Sequence, residues 1–436
     1  MAESKVPTLD ADGKVFDKHL PARLGESELS TTIDAAVSAE EVRADAAYST
    51  PATLIQGMAS TRLTVVNESK LTRWTTALQD AETAPAIVTV IGDSISWGVG
   101  SDGSSGTAGP TAFGTYRQSA WPVILRKLFA RAHGTAVAEN WIGTAPGWGY
   151  ATISAGASPS SSIAPFGQLF GTHSGAILAG NAQTVTIPKA LSGRFTCIDI
   201  QYWGTDSGVT SPSMPSVTID GVAESAGSAG PLAGNLNILR ITGLADTTHD
   251  IVLSAPTTNT TCYVPAVVTH HGNGVIVNRI AIPGATTYDA VGGTLTGQGK
   301  QRNIDSATLK GYSSLVAIML GTNDNGSQLP IADYKANLQL LIDSAVGGGA
   351  CVLLVGAPPS WVGETVTITE SQYRAAMSEL STANDHVAYV DTRPLFGDRT
   401  LSPIELFSSA GTVHPSAKGH RLIGGTMFDA VPMASI

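Results

Sequence analysis

The chain has 436 residues, a formal net charge of −10, 42% hydrophobic and only 14% charged residues, and 47 glycines. That length suffices for two or three domains, the apolar content argues against global disorder, and the negative balance argues against gripping nucleic acid by its phosphates. No run approaches the roughly 18 apolar residues of a membrane span, and Met1-Ala-Glu-Ser-Lys-Val-Pro7 lacks the apolar core of a signal peptide.

In chain order, residues 1–60 read as a separate segment. Leu9 to Leu29 combines a turn with a polar, weakly periodic stretch that buries little apolar surface alone. It is either a piece that packs on another subunit or a flexible leader. Glu68 to Ala81 has helical spacing at Leu71, Trp74 and Leu78. Ile87-Val-Thr-Val-Ile91 is a short β-branched run that breaks into Gly92-Asp93-Ser94, as a buried parallel strand does when it delivers a serine to the carboxyl edge of a sheet. Gly100 to Gly114 is a Gly/Ser/Thr loop, expected to face substrate. Gln118 to His133 predicts the first crossover helix, and Val137 to Ile142 the next strand of the same sheet.

Residues 155–270 differ in character. Thr184–Ile187, Phe195–Trp203, Ser216–Ile219 and Asp250–Leu253 are short runs, mostly alternating, separated by turn signals such as Asp220-Gly221. This spacing predicts an inserted all-β sandwich. Val275 to Ile282 then returns to the first sheet and leads to Gly284. Ser314 to Leu320 is another buried strand, ending in Gly321-Thr322-Asn323-Asp324. Helix and strand patterns alternate to Asp391, and Val413-His414-Pro415 precedes a helix-like tail. Residues 61–154 and 271–436 therefore form one α/β domain with a doubly wound parallel sheet, whose functional groups gather at the strands' carboxyl ends.

A serine, an amide and an imidazole at the mouth of such a sheet are the parts of a serine esterase. Ser94 is the candidate nucleophile and His414 the base that takes its proton and returns it to the leaving alcohol. The blocks Gly92-Asp93-Ser94 with Gly98, Val275 to Asp289 with its Gly284, Gly321 to Asp324 and His414-Pro415, in this order, resemble the SGNH (GDSL) hydrolase family over about residues 60–430. The resemblance implies a flavodoxin-like sheet and three oxyanion donors: the backbone N–H groups of Ser94 and Gly284 and the Asn323 side chain. It also implies a jelly-roll-like insert, as in some phage and secreted members. A residue without Cβ at Gly284 would let a substrate carbonyl approach the main chain.

One position departs from the family. The acid that partners the histidine normally lies three residues before it, where this chain has Gly411. His414 is then oriented by a backbone carbonyl, giving a Ser-His dyad and the favoured reading, or by an acid from elsewhere. Asp391, Asp398 and Glu405 are the nearest upstream.

Plainer readings compete at each residue. Ser94 alone would be a turn or helix N-cap serine, and Asn323 a turn former. Asp93 and Asp324 read as structural hydrogen-bonders that support the site, and His420 as a packing or surface residue on the last helix. His270-His271 fall on opposite faces of a strand, which argues against a metal site there. No cofactor or metal is expected. Three cysteines make no disulfide framework; Cys351 reads as a core thiol, and Cys197 and Cys262 are candidates to pair.

Leu9 to Leu29 resembles N-terminal segments of phage minor tail proteins. The expectation is thus a virion-tail carbohydrate esterase that removes acetyl or other short acyl groups from an acylated polysaccharide or glycolipid. Other tail proteins would bind residues 1–60, and homo-oligomerisation remains open. A lipid or mycolyl-type esterase is the alternative within enzymes. A non-catalytic receptor-binding protein, using the fold to hold glycan, is the alternative outside them.

Overall fold

The computed structural model divides into Met1–Thr61 and Arg62–Ile436. The described residues are 63–101, 119–132, 184–189, 194–203, 214–224, 236–254, 261–360, 365–397, 404–409 and 412–431, with short strands between 139 and 179. Residues 1–62, where an attachment segment was expected, most of the loop after Ser94, Asp398 and Gly411 lie outside them.

The α/β sheet holds β1 (Val65–Val66), β2 (Ala86–Gly92), β3 (Val275–Ala281), β4 (Leu315–Met319), β5 (Cys351–Gly356) and β6 (Val387–Asp391), in spatial order β1-β6-β5-β4-β2-β3. The last five are parallel, running 2-1-3-4-5 when counted by themselves. The expectation of an all-parallel sheet needs correction at one edge. Val65 and Val66 pair antiparallel with Val390 and Tyr389. A doubly wound sheet that is otherwise parallel commonly carries such an antiparallel strand at its edge.

Alternation along each strand sends side chains to two cores. Ile87, Ile91, Ile276, Val316, Ile318 and Leu354 belong to one, and Val88, Val90, Ala317, Leu353 and Val390 to the other. Helices cover both faces, which explains why the strands read as continuous apolar runs. Trp74 of α1 (Thr72–Gln79) packs edge-on against Phe129, its ring centroid 5.9 Å away, on one side.

Between β2 and β3 the described residues build two larger antiparallel sheets, beside the two-stranded pair of Arg194–Phe195 with Thr247–Thr248. One orders Val222–Glu224, Ser216–Ile219, Ile251–Ser254, Thr184–Ile187 and Thr152–Ile153; the other orders Leu236–Ile241, Cys197–Trp203, Thr261–His270, Ala176–Ala179 and Ser158–Pro159. Val185, Ile187, Val217 and Leu253 of the first share a core with Ile198, Ile200, Leu239 and Val267 of the second. Glu139–Asn140, expected to extend the parallel sheet, instead pairs with Val268 and Thr269. The ten-residue strand Thr261–His270 leads directly towards β3 and offers its ladder where the chain leaves the α/β sheet. Cys197 is a buried free thiol, so its pairing with Cys262 is not made.

A buried charge cluster ties this layer to the α/β domain. Asp199, with no exposure, takes Arg240 Nε at 2.7 Å and Nη2 at 2.8 Å, and the Tyr312 hydroxyl at 2.9 Å. His270 Nε2 lies 3.2 Å from the same carboxylate. Burial works to raise Asp199, but Arg240 and His270 outweigh it and hold the carboxyl at about 2. His271 turns to Asp246 instead, 3.2 Å away. The adjacent histidines therefore serve separate acids rather than one centre.

Candidate active site

The serine is carried by a sharp strand-to-helix turn. β2 ends at Gly92, Asp93 caps the short helix α2 (Ser94–Trp97), and its Oδ1 accepts the Ile95 N–H at 2.8 Å. A Cβ on Gly92 would stand 2.1 Å from Ser96 Oγ, so only glycine permits this turn. β3 braces α2: Arg279 Nη1 donates to the Trp97 carbonyl at 2.7 Å, with the guanidinium carbon 5.0 Å from the Trp97 ring centroid. β2 is the strand from which the parallel order runs both ways, so Ser94 sits at the topological switch point of the sheet.

Ser94 Oγ and His414 Nε2 are 2.9 Å apart. The helix α3 that follows the histidine (Ala417–Ala430) is capped by Ser416, which accepts the Gly419 N–H. The His414 carbonyl also accepts the Ser408 N–H at 3.0 Å. Burial lowers the His414 pKa from its ordinary value. The other ring nitrogen, Nδ1, lies 3.2 Å from the Thr412 hydroxyl, neither a main-chain carbonyl nor a carboxylate. Among the described residues neither partner expected for His414 stands at Nδ1, and Asp398 lies outside them. Asp391 accepts the Arg393 N–H and lies 3.4 Å from Arg374, while Glu405 pairs with Lys418 at 2.6 Å. A threonine two residues before a histidine carries no pattern that a reader of the sequence could have used.

The donor groups converge from neighbouring strands. Gly92 is in register with Ala281 of β3 and Met319 of β4, so Ser94, Gly284 and Asn323 all lie a few residues past one line across the sheet. No described hydrogen bond uses the backbone N–H of Ser94 or Gly284. Gly284 has φ 83 and open space where a Cβ would stand, so conformation and not crowding selects glycine. The Asn323 side chain donates to the Ala285 carbonyl at 2.9 Å, which aims the amide and ties the two loops together.

Beneath them lie two buried acids. Asp324 Oδ1 accepts the Thr287 N–H at 3.0 Å and also takes the Thr287 hydroxyl, fixing the loop that carries Gly284. Burial raises its pKa to about 6. Asp93 has no exposure, and burial, with help from the nearby Asp324 carboxyl and against the Ile95 N–H, raises it to about 7. Asp93 thus holds the turn at Ile95 and Asp324 the loop at Thr287; Thr287 and Arg279 were not anticipated. His420 is buried on α3, with Nε2 3.1 Å from the Val99 carbonyl.

The raised Asp93 sets a sign for the pH dependence of stability. Between about pH 4 and 7 it is protonated in the fold and ionised in the unfolded chain. Unfolding then releases a proton, so its contribution is lost as pH rises through that window. Asp93→Asn keeps the acceptor for Ile95 and stays neutral. Its urea midpoint should rise relative to wild type from pH 4 to 7; parallel midpoint curves would rule out the buried neutral acid.

A seryl hydroxyl on an imidazole at the switch point, with donors at the adjoining strand ends, defines a carboxylic ester hydrolase. Residues 247–422 match the model of the GDSL-like lipase/acylhydrolase family. The solved structure of a peptidoglycan O-acetylesterase is 15% identical over 85% of this chain and 97% of that chain, with a TM-score of 0.56, which shows a common fold. A family two carbohydrate esterase from Clostridium thermocellum is 14% identical over 64% and 96% of the two chains, at a TM-score of 0.28. A carbohydrate esterase family 2 enzyme from Corynascus thermopiles is 14% identical over 59% and 95%, also at 0.28. A search of the curated proteins found no match.

Proposed function

We propose that the protein is a carbohydrate O-deacetylase, cleaving acetyl or similarly short acyl esters from a cell-surface polymer. The observation that carries the reaction class is the 2.9 Å approach of Ser94 Oγ to His414 Nε2 at the switch point. Ser94 Oγ attacks the ester carbonyl as its proton passes to Nε2, and the carbonyl π-electrons collect on the oxygen between Ser94 N–H, Gly284 N–H and the Asn323 amide. Collapse breaks the bond to the sugar oxygen, which takes the proton from Nε2. Water then attacks the acyl-serine, giving a proton to Nε2, and loss of the acetate restores the Ser94 hydroxyl.

The substrate side rests on composition and on the fold neighbour. The sequence after Ser94 is Gly/Ser/Thr-rich and aromatic residues are only 6% of the chain, a poor basis for a long acyl channel. The neighbour sharing the fold is a peptidoglycan O-acetylesterase. On this reading the two antiparallel sheets are an inserted jelly-roll-like sandwich that walls the site or holds glycan. Residues 1–60 would attach the enzyme to a phage tail, placing it on the virion.

The test is acetate release from a panel of O-acetylated polysaccharides, run with the full chain and with residues 61–436. Both should release acetate without added metal and act more slowly on longer acyl esters, while only the full chain joins a larger assembly. Faster cleavage of long-chain lipid esters would favour the lipid esterase. Glycan binding without hydrolysis would favour the receptor-binding reading. Equal assembly by both forms would remove the attachment role.

A further inference from the structure

We infer that Thr412 is the positioning residue of the catalytic histidine, its hydroxyl taking the place that an acid occupies in a Ser-His-acid triad. The inference rests on the Ser94–His414 reading above and goes beyond it. Two bonds meet at Thr412 Oγ1: the main-chain N–H of His414 donates to it at 3.2 Å, and the ring Nδ1 lies 3.2 Å away. Among the described residues, the ring's hydrogen-bond partners are Thr412 and Ser94.

This geometry has a definite proton arrangement. Nε2 must be bare to take the Ser94 proton, so Nδ1 carries the hydrogen and donates it to Oγ1. A hydroxyl oxygen has two lone pairs, one for the backbone N–H and one for the ring N–H. Residue 412 is thus locked to the main chain of the histidine it orients, a short-range clamp that needs no acid at position 411. If Oγ1 donated to Nδ1 instead, the hydrogen would sit on Nε2, facing Ser94, and no proton could be accepted.

A neutral acceptor differs from a carboxylate in what it does for the charged state. When Ser94 attacks, its Oγ–H bond breaks, Nε2 gains the proton, and the imidazolium keeps its Nδ1–H on Thr412. Among the described residues no carboxylate accepts that Nδ1–H, so the base stays weak. His420 of α3, which burial lowers to about 4, feels the charges of His414 and Arg279 and is neutral at working pH. The acid limb of kcat/KM should therefore lie below the ordinary histidine value of about 6.5.

The experiment is steady-state kinetics on a short ester across pH for Thr412→Val, Thr412→Ser and Thr412→Asp. Thr412→Val should lower kcat about 10- to 100-fold with KM little changed, because a buried ring N–H loses its acceptor. Thr412→Ser should restore most of the rate, and Thr412→Asp should move the acid limb to higher pH. Wild-type kcat in Thr412→Val, no rescue by serine, or an unmoved limb in the aspartate variant would each overturn the assignment. So would a loss of about 10⁴ in Asp391→Asn, Asp398→Asn or Glu405→Gln, the size expected on amidating a triad acid. Should the valine variant not fold, the ¹⁵N spectrum of histidine-labelled wild type decides: His414 protonated on Nδ1 supports the inference, and on Nε2 defeats it. Wild-type turnover in Ser94→Ala would instead defeat the esterase reading itself.

Discussion

Ser94→Ala is expected to reduce ester hydrolysis to background, a loss of about 10⁵- to 10⁶-fold in kcat, while the protein stays folded. The first part follows from chemistry, since no other hydroxyl is within hydrogen-bond distance of His414 Nε2 among the described residues. The second follows from how work is divided at the turn. Asp93, not Ser94, is the N-cap of α2, and its bond to Ile95 survives the substitution. Gly98 closes the other end of α2, and its N–H bonds to the Ser94 carbonyl, which alanine also has. Ser94 is 5% exposed, but its side chain loses only the bond to His414, so the stability change should stay below about 1 kcal/mol. Hydrolysis of p-nitrophenyl acetate and a thermal melt measure the two halves. Turnover at the wild-type rate would remove Ser94 as nucleophile, and an unfolded variant would mean that the turn depends on the hydroxyl.

The plainer reading of Ser94 as a helix cap fails on that same detail, and the contrast shows what a sequence can carry. Strand β2 was legible because both its faces are buried, which leaves a continuous apolar run, and because Gly92 interrupts it at a turn that admits no Cβ. The same holds for β4 and for Asn323 behind it. Val65–Val66 was not legible as a strand, since two valines make no pattern and only the exposed edge of β6 gives them a partner. Helix Gly297–Thr308 escaped for another reason. Its sequence begins Gly-Gln-Gly-Lys-Gln and is mostly polar, so tertiary contacts at Ile304, Ala307 and Thr308 decide its structure rather than propensity. At the site, groups delivered by strand ends could be read in advance. Those that hold the histidine could not, because Thr412 acts through a bond two residues long that any loop threonine might make.

Asn323→Ala should lower kcat about 10²- to 10³-fold with little change in KM, the loss expected for one donor to an oxyanion. The amide serves the reaction only when charge has moved onto the carbonyl oxygen, so its removal raises the transition state more than the bound ester. Its aim comes from the bond to the Ala285 carbonyl, next to Gly284. Removing the side chain therefore deletes one donor and loosens the loop that offers another. For that reason Asn323→Ala and Gly284→Ala should not add: the double variant should be less impaired than the product of the two single losses. Gly284→Ala by itself meets no atom within 4 Å but must hold φ 83, so it disturbs the N–H through the backbone. Asn323→Asp should be worse than alanine, because an acceptor then faces both the Ala285 carbonyl and the developing oxyanion. The alternative is that Asn323 only shapes the turn after β4. In that case Asn323→Ala would lower the melting temperature and leave kcat of the folded fraction unchanged, and the Gly284 effect would simply multiply with it.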